Sequence, residues 1–214
     1  MLKRMTLLAK REDLSIEAFR THWAGNHAQL ALSLPGVCKY SQNRIDEELL
    51  TIPQGGAFNA QGIVELYFTD AETMKTAQAS DTGNVMIPDD ELLFLKGWSL
   101  NIVEVDGPND GVGAKVMIPL AARETLTTEQ VVDALTDAAR AAGATAISLN
   151  HVTTSHARPR LWSEPVAPTM IFVAWFESSN HARGAFNPGS SLHDAVRGVS
   201  RLASVYLCDP LTIL

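Results

Sequence analysis

The sequence predicts an α+β fold in which one order of elements, β-α-β-β-α-β, occurs twice. Strand-like and helix-like hydrophobic patterns alternate in this order along both halves of the 214 residues. A glycine- and proline-rich segment, typical of a linker, separates the halves. Asn43 and Asn150 occupy matching positions in the two orders, as internal repeats would place them. The sequence therefore predicts two ferredoxin-like repeats, 1–106 and 114–214, joined by a linker, 107–113.

In the first repeat, a long amphipathic helix lies between two strands. Ser15 is the predicted N-cap and Pro35-Gly36 the stop. A segment with Pro53 and Gly55-Gly56 is predicted to be a loop. The predicted elements are strand 2–9, helix 14–34, strand 36–45, loop 46–61, strand 62–69, helices 71–79 and 89–95, and strand 99–105.

The second repeat begins with a strand and a helix that has a capping-box pattern, Thr127 with Gln130. A later helical segment is interrupted by Asn187-Pro188-Gly189. The predicted elements are strand 114–120, helix 127–142, strands 145–153 and 169–177, broken helix 178–200, and strand 203–209.

Composition excludes several classes of partner. The chain carries a formal charge of −7 and has a pI near 5.3, which argues against binding to nucleic acid or to an anionic membrane. Its apolar runs are shorter than a signal peptide or a membrane span requires. Cys38 and Cys208 lie in apolar runs and are predicted to be free, buried thiols, so a cytoplasmic location is expected. No histidine stands at ligand spacing to them, so no metal site is expected.

His27 is the unusual residue of the long helix. It lies on an apolar stripe at helical spacing, one turn from Trp23. It is either a satisfied core histidine or a group that transfers a proton near neutral pH. His22 precedes it by five residues, about 140° around an α-helix. The two histidines are therefore not expected to share a ligand, and His22 is predicted on the polar face.

Three strand residues can also take part in a site. Glu65 is a carboxylate within an apolar strand; it either faces solvent or, facing a cavity, needs a partner such as His27 or Arg4. Tyr40 and Asn43 lie on opposite faces of one strand by parity. Either side chain could orient a ligand oxygen, or both could be structural.

The first half resembles a known family in several spaced motifs. These are Phe19, His22-Trp23, His27-Ala28, Leu34-Pro35-Gly36, Tyr40 and Gln42-Asn43, with segments 4–8 and 62–68 on either side. The pattern resembles the EthD family of the dimeric α/β-barrel superfamily. The resemblance implies that the two units pack face to face as a fused dimeric α/β-barrel within one chain.

The resemblance also implies a cofactor-independent acid–base enzyme of dehydratase, decarboxylase or isomerase type. Its substrate would be a small aromatic, polyketide-like or lactone intermediate of catabolism. His27 and Glu65 would be catalytic. The residues expected to bind substrate are Arg4, His22, Trp23, Tyr40, Asn43 and His151.

Alternatives remain open at this point. Related barrels hold haem, for which His27, His151 or His156 could be the axial ligand. The chain could also be a ligand-binding or structural barrel without catalysis, and it could form a homodimer. His27 aligns with Ala139 in the second repeat, so only the first pocket is expected to be active. The loop that contains Arg158 and Trp162 either closes over a mouth or simply connects strands.

Overall fold

The structure is a computed structural model that describes residues 1–53 and 56–214. It has a mixed α/β fold built on a closed antiparallel barrel of eight strands. The strands are β1 (Leu2–Lys10), β2 (Val37–Ile52), β3 (Gly62–Phe68), β4 (Leu95–Asp106), β5 (Ala114–Ala122), β6 (Ala146–Ala157), β7 (Met170–Phe176) and β8 (Ser200–Thr212).

Helices cover the outside of the barrel in both halves, which confirms the predicted order of elements. In the first half they are α1 (Ile16–His22), α2 (Ala28–Leu32), α3 (Ala71–Ala79) and α4 (Ile87–Phe94). One π-helical turn, Trp23–His27, joins α1 to α2, and another, Thr82–Met86, precedes α4. In the second half the helices are α5 (Thr128–Ala141), α6 (Ser179–Ala185) and α7 (Ser191–Val199).

The order of strands shows how the halves combine. Around the barrel it is β1-β3-β2-β8-β5-β7-β6-β4, closed by pairing of β4 with β1. Each half contributes four neighbouring strands, and the halves meet where β2 pairs with β8 and where β4 pairs with β6. Both halves are therefore needed to close one barrel. That they are repeats of one unit, with bounds 1–106 and 114–214, stays a prediction.

Local signals in the sequence explain most element ends. The side chains of Ser15 and Thr127 accept hydrogen bonds from main-chain N–H groups as N-caps of α1 and α5. Gly36 ends the helical segment in the left-handed region, at φ 74°, where glycine is favoured. Gly62 lets the Trp23 ring approach β3, since a Cβ at Gly62 would lie 2.4 Å from that ring.

Two predictions about local structure were wrong. Residues 46–52 belong to β2 rather than to a loop, because they pair with β8 as far as Ile52 opposite Ala203. Gln54 and Gly55 of the predicted loop lie outside the described residues. Cys208 is buried as predicted, but Cys38 is exposed.

Alternate strand residues face opposite sides of the sheet and create three apolar clusters. One fills the barrel and includes Met5, Ile63 and Met117. The second lies between the sheet and α1–α4, and the third between the sheet and α5–α7. Parity correctly predicted the faces of Tyr40, which belongs to the helix-side cluster, and of Asn43, which lies inside the barrel. None of the helices in residues 1–53 and 56–214 has the length and apolarity of a membrane span.

Candidate functional site

A cleft lies between the first-half sheet and the helices that cover it. Its volume is about 240 Å³, and its walls come from β1, β4, α4, the preceding π-helical turn and the end of β6. It adjoins a narrow inner pocket of about 20 Å³, because Arg4, Ile87 and Trp98 line both spaces. His27, Tyr40 and Glu91 line the inner pocket. This space is large enough for about one water molecule.

His27 is held in the inner pocket by a carboxylate. Its Nδ1 lies 2.9 Å from Oδ2 of Asp90, and its ring packs on Phe94 with centroids 5.0 Å apart. Because a carboxylate accepts the Nδ1 proton, neutral His27 keeps Nε2 as its proton acceptor. Burial lowers the pKa of His27, although the hydrogen bond and charge of Asp90 act to raise it. The imidazole is therefore neutral at pH 7 and able to accept a proton.

His22 binds the same carboxylate. Its Nε2 lies 2.9 Å from Oδ1 of Asp90, so Asp90 bridges the two histidines. The prediction that they cannot share a partner was wrong, and His22, predicted on a polar face, lies beside His27. The π-helical turn Trp23–His27 is the reason, because i→i+5 hydrogen bonding brings residues five apart onto one face. Such turns are frequent at functional sites.

Glu91 is the second acidic residue of the site, and sequence reasoning missed it. It is 3% exposed, and its Oε2 lies 2.5 Å from Nε of Arg158 in an ionic contact outside hydrogen-bond geometry. Burial raises the pKa of Glu91 to about 7, although the charges of Arg158 and Arg4 act to lower it. Glu91 can therefore exchange a proton near neutral pH. A signal was present, because Ile87, Glu91 and Phe94 follow helical spacing and place a carboxylate on an apolar face.

Tyr40 completes the inner pocket as a neutral donor. Its hydroxyl accepts a hydrogen bond from Nε2 of Gln42 at 2.8 Å, which leaves its own proton to donate. Burial raises its pKa to about 12, although the bond from Gln42 acts in the opposite direction. Trp23, predicted to bind substrate, is fully buried in the helix-side cluster behind this pocket.

Glu65 and Asn43 lie on the other face of the sheet. Glu65 is inside the barrel, where its carboxylate contacts Lys3 at 2.8 Å and also Lys115. Asn43 donates to Glu65 at 2.9 Å. The predicted partners of Glu65, His27 and Arg4, were wrong because residues 4 and 65 differ in parity and face opposite sides of paired strands. This geometry separates Glu65 and Asn43 from the cleft and assigns them to an ion cluster in the barrel core.

Burial alone would raise the pKa of Glu65, but the charges of Lys115 and Lys3 outweigh it and lower the pKa to about 2. Glu65 is therefore a permanent anion at neutral pH. A proton-transfer group needs a pKa near the working pH. The electrostatics thus agree with a structural position.

His151 lies in the second half, outside the cleft. It lines an open groove of about 690 Å³ between β6 and the start of α5. The expected contribution of His151 to the His27 site has no support from this placement. His156 and Arg158, at the end of β6 and just beyond it, do line the cleft, so this segment forms part of its mouth.

Neither space fits a haem. A haem needs an axial ligand and a large apolar pocket, whereas the inner pocket beside His27 is small and lined by Arg4 and Glu91. The groove beside His151 is larger, but charged and hydroxyl side chains form much of its lining: Arg123, Glu124, Thr128, Thr153, Thr154, Ser155 and Thr169. Within the described ranges, no group of three or more His, Cys, Asp or Glu side chains is arranged to hold a metal ion.

Comparison with known proteins identifies the segment that carries the site. Residues 11–96 match the family model described as EthD domain. This segment includes His22, His27, Tyr40, Asp90 and Glu91, whereas Arg4 and Arg158 lie outside it. No curated protein is significantly similar to the chain in sequence.

Several solved structures are similar to this chain, and those that align over nearly its whole length share the fold. An anthrone oxidase-like protein is 10% identical, with a TM-score of 0.63 over 99% of this chain and 93% of that chain. A "putative monooxygenase" from Lactobacillus acidophilus NCFM is 9% identical, with a TM-score of 0.52 over 100% and 94%. An EthD family protein from Bacillus halodurans C-125 is 26% identical, with a TM-score of 0.39; it matches 49% of this chain and 98% of its own.

Proposed function

We propose that this chain, whose residues 11–96 form an EthD domain, is a cofactor-independent enzyme that removes a proton from a small, oxygenated and partly apolar substrate. The observation that carries the proposal is the 2.9 Å bond between His27 Nδ1 and Asp90 at the inner end of the cleft. A histidine oriented by a carboxylate is a recurrent proton acceptor in enzymes.

The second half provides an internal control on which polar residues the fold itself requires. Leu2 and Ala114 begin corresponding strands, so Arg4 aligns with Val116. Ser15 and Thr127 cap corresponding helices, so His27 aligns with Ala139.

The same comparison applies to the acidic residues. Leu95 and Ser200 begin corresponding strands, so Asp90 and Glu91 align with Ala195 and Val196. The second half thus completes the same element order with apolar residues at all four positions. This supports a functional rather than a structural reason for the polar set.

The correspondence also supports the proposal that the halves are repeats of one unit, 1–106 and 114–214. Asn43 and Asn150 both lie inside the barrel, and each donates to a main-chain oxygen of the neighbouring strand at 3.0 Å, of Ile63 and Ile171 respectively. In this proposal only the first unit keeps a polar pocket.

The proposed step is proton abstraction from a carbon next to a carbonyl group. His27 Nε2 accepts the proton, directly or through one water, and the negative charge moves onto the carbonyl oxygen. Tyr40 donates a hydrogen bond to that oxygen, and Glu91 returns a proton after the substrate has rearranged. Elimination, isomerisation and reaction with oxygen can all follow such a carbanion.

Substrate chemistry follows from the cleft walls and from the relatives. Trp98, Leu100 and Ile87 offer apolar contact to an aromatic or polyketide-like body. The names anthrone oxidase-like and monooxygenase, given to proteins of the same fold, suggest an aromatic ketone that reacts after loss of a proton. We therefore take anthrone as one probe, and a butenolide lactone as a second because the EthD resemblance implies lactones among the possible substrates.

Turnover of these probes tests the proposal. The wild-type protein is expected to consume at least one of them, and His27→Gln to lose about 10²–10⁴-fold of that rate with an unchanged circular dichroism spectrum. His193→Gln is the matched control, because His193 also bonds a carboxylate, Asp194, but lies on α7. Equal rates for His27→Gln and wild type would contradict the proposal and favour a barrel that binds ligands without catalysis.

A further inference from the structure

Arg4 is a half-buried cation without an anionic partner. It projects from β1 into both the cleft and the inner pocket. Among the residues that the structure describes, no carboxylate lies within 4.0 Å of its guanidinium, and no acceptor bonds its buried Nε. Its guanidinium lies over the ring of Phe68, 5.5 Å from the ring centroid. A half-buried guanidinium whose Nε is shielded from water and forms no hydrogen bond is unfavourable, so this arrangement needs a reason.

Protein stability does not supply that reason. The corresponding residue of the second half is Val116, which is fully buried in the apolar cluster beneath α5–α7. Burial lowers the pKa of Arg4 to about 10, although the charge of Glu91 acts to raise it. The guanidinium therefore stays charged at neutral pH inside a site where the same fold accepts an alkyl group.

A second guanidinium reaches the cleft from the other half of the chain. Arg158 follows β6, stacks on the Trp98 ring at 4.4 Å and contacts Glu91 through Nε. Its terminal nitrogens form no hydrogen bond within residues 1–53 and 56–214. Glu91 thus pairs with Arg158 and leaves Arg4 without a carboxylate partner, so the cleft keeps a surplus of positive charge and of N–H donors.

We infer that the cleft binds a carboxylate group of its ligand between Arg4 and Arg158, so that the substrate class is a small aromatic or partly apolar carboxylic acid. A planar guanidinium binds a carboxylate through two parallel hydrogen bonds, which fixes orientation as well as affinity. The Trp98 ring and the alkyl side chains of Leu100 and Ile87 then contact the apolar body of the ligand. This inference rests on the proposed function in one respect, namely that the cleft beside His27 is the site where the substrate binds.

The inference gives the second half a role in the first-half site. Arg158 lies outside residues 11–96, so an EthD domain alone lacks this cation. The β4–β6 pairing at the joint between the halves positions it. The fused barrel would therefore take its ligand specificity from both halves.

Binding of benzoate and of its neutral analogue benzamide tests the inference in the intact protein, by titration calorimetry and tryptophan fluorescence. Wild type is expected to bind benzoate at least about tenfold more tightly than benzamide, as for a charge-assisted pair. Arg4→Gln should abolish this preference. Arg4→Lys should keep part of it, because the charge remains without the planar fork. Arg160→Gln is the matched control, since Arg160 pairs with exposed Asp89 at 2.7 Å.

Three results would overturn the inference: equal affinity of wild type for the two compounds, no binding of benzoate, or an unchanged preference in both Arg4 variants. The comparison of benzoate with benzamide uses the wild-type protein alone, so it still tests the inference if Arg4→Gln does not fold. A benzoate preference without probe turnover would therefore contradict the proposed proton transfer alone, and turnover without a preference would contradict this inference alone.

Discussion

Asp90 and His27 form a direct polar contact at the inner end of the cleft, with Oδ2 of the carboxylate 2.9 Å from Nδ1 of the ring. The bond joins α4 to the π-helical turn between α1 and α2, two elements that both cover the first-half sheet. It fixes the tautomer and the orientation of the imidazole at once. Because Asp90 also bonds His22, the carboxylate is itself held from two sides.

Replacing Asp90 by Asn should change both the tautomer and the pKa of His27. An amide can turn its NH₂ group toward Nδ1 and favour the wrong tautomer, so turnover should fall by about 10²-fold or more. Since Asp90 acts to raise the pKa of His27, its loss should move the acidic limb of the pH–rate profile to lower pH.

His22→Gln serves as the control for Asp90→Asn, because it keeps the Asp90–His27 bond. Its rate should stay within about tenfold of wild type. A wild-type rate and pH profile in Asp90→Asn would show that the carboxylate does not orient the base.

Arg158→Gln should make stability more sensitive to alkaline pH. The folded pKa of Glu91 is about 7, above the ordinary value of 4.5, so folding binds a proton and stability falls as pH rises from about 4.5 to 7. Burial is the main cause, and Arg158 acts against it, so removing Arg158 should raise this pKa further. The variant should therefore lose more stability, relative to wild type, at pH 8 than at pH 5.

Urea unfolding at the two pH values measures this difference. Arg160→Gln is the control, because its ion pair with Asp89 is more than half exposed and should show little dependence on pH. An equal loss at both pH values in Arg158→Gln would mean that Arg158 does not govern the ionisation of Glu91.

Glu65→Gln should destabilise the barrel without acting on the cleft. It leaves the ammonium groups of Lys3 and Lys115 without a counter-charge inside the barrel, which should cost about 3–5 kcal/mol. The folded pKa of Glu65 is about 2, below the ordinary 4.5, so its contribution is present above pH 4.5 and is lost as pH falls toward 2.

Denaturant unfolding at pH 7 and pH 3 tests the role of Glu65. The difference in free energy of unfolding between wild type and Glu65→Gln should be smaller at pH 3 than at pH 7. Glu104 lies on the exposed side of β4, so Glu104→Gln should change the free energy of unfolding little at either pH. A stable Glu65→Gln protein that has lost turnover would return Glu65 to the catalytic role first expected of it.

The fold followed from the sequence because the hydrophobic periods of two and 3.6 residues are strong in both halves. The parts of the fold that were predicted wrongly depend on pairing between strands that are distant in the sequence. Residues 46–52 contain no strong strand signal of their own, and they extend β2 because β8 lies beside them. The strand order around the barrel likewise depends on pairing across the two halves.

The candidate site was only partly predictable, for physical reasons. His27 stood out as a titratable ring on an apolar stripe, but its partner Asp90 resembles an ordinary acid in the first turn of a helix. The π-helical turn places His22 and His27 together, and a period of 3.6 residues cannot foresee it. The loop that contains Arg158 was a candidate for closing over a mouth, but its contact with the first-half cleft depends on tertiary structure and could not be read from the local pattern.

The most direct test of the central claim is deuterium incorporation into anthrone in D₂O without oxygen, followed by mass spectrometry. This measurement isolates proton transfer at carbon from any later step. Wild type and His193→Gln are expected to exchange well above the buffer rate, and His27→Gln to lose about 10²–10⁴-fold of that rate. Enzyme-catalysed exchange that persists in His27→Gln, or wild-type exchange no faster than buffer, would contradict the assignment of His27 as the base.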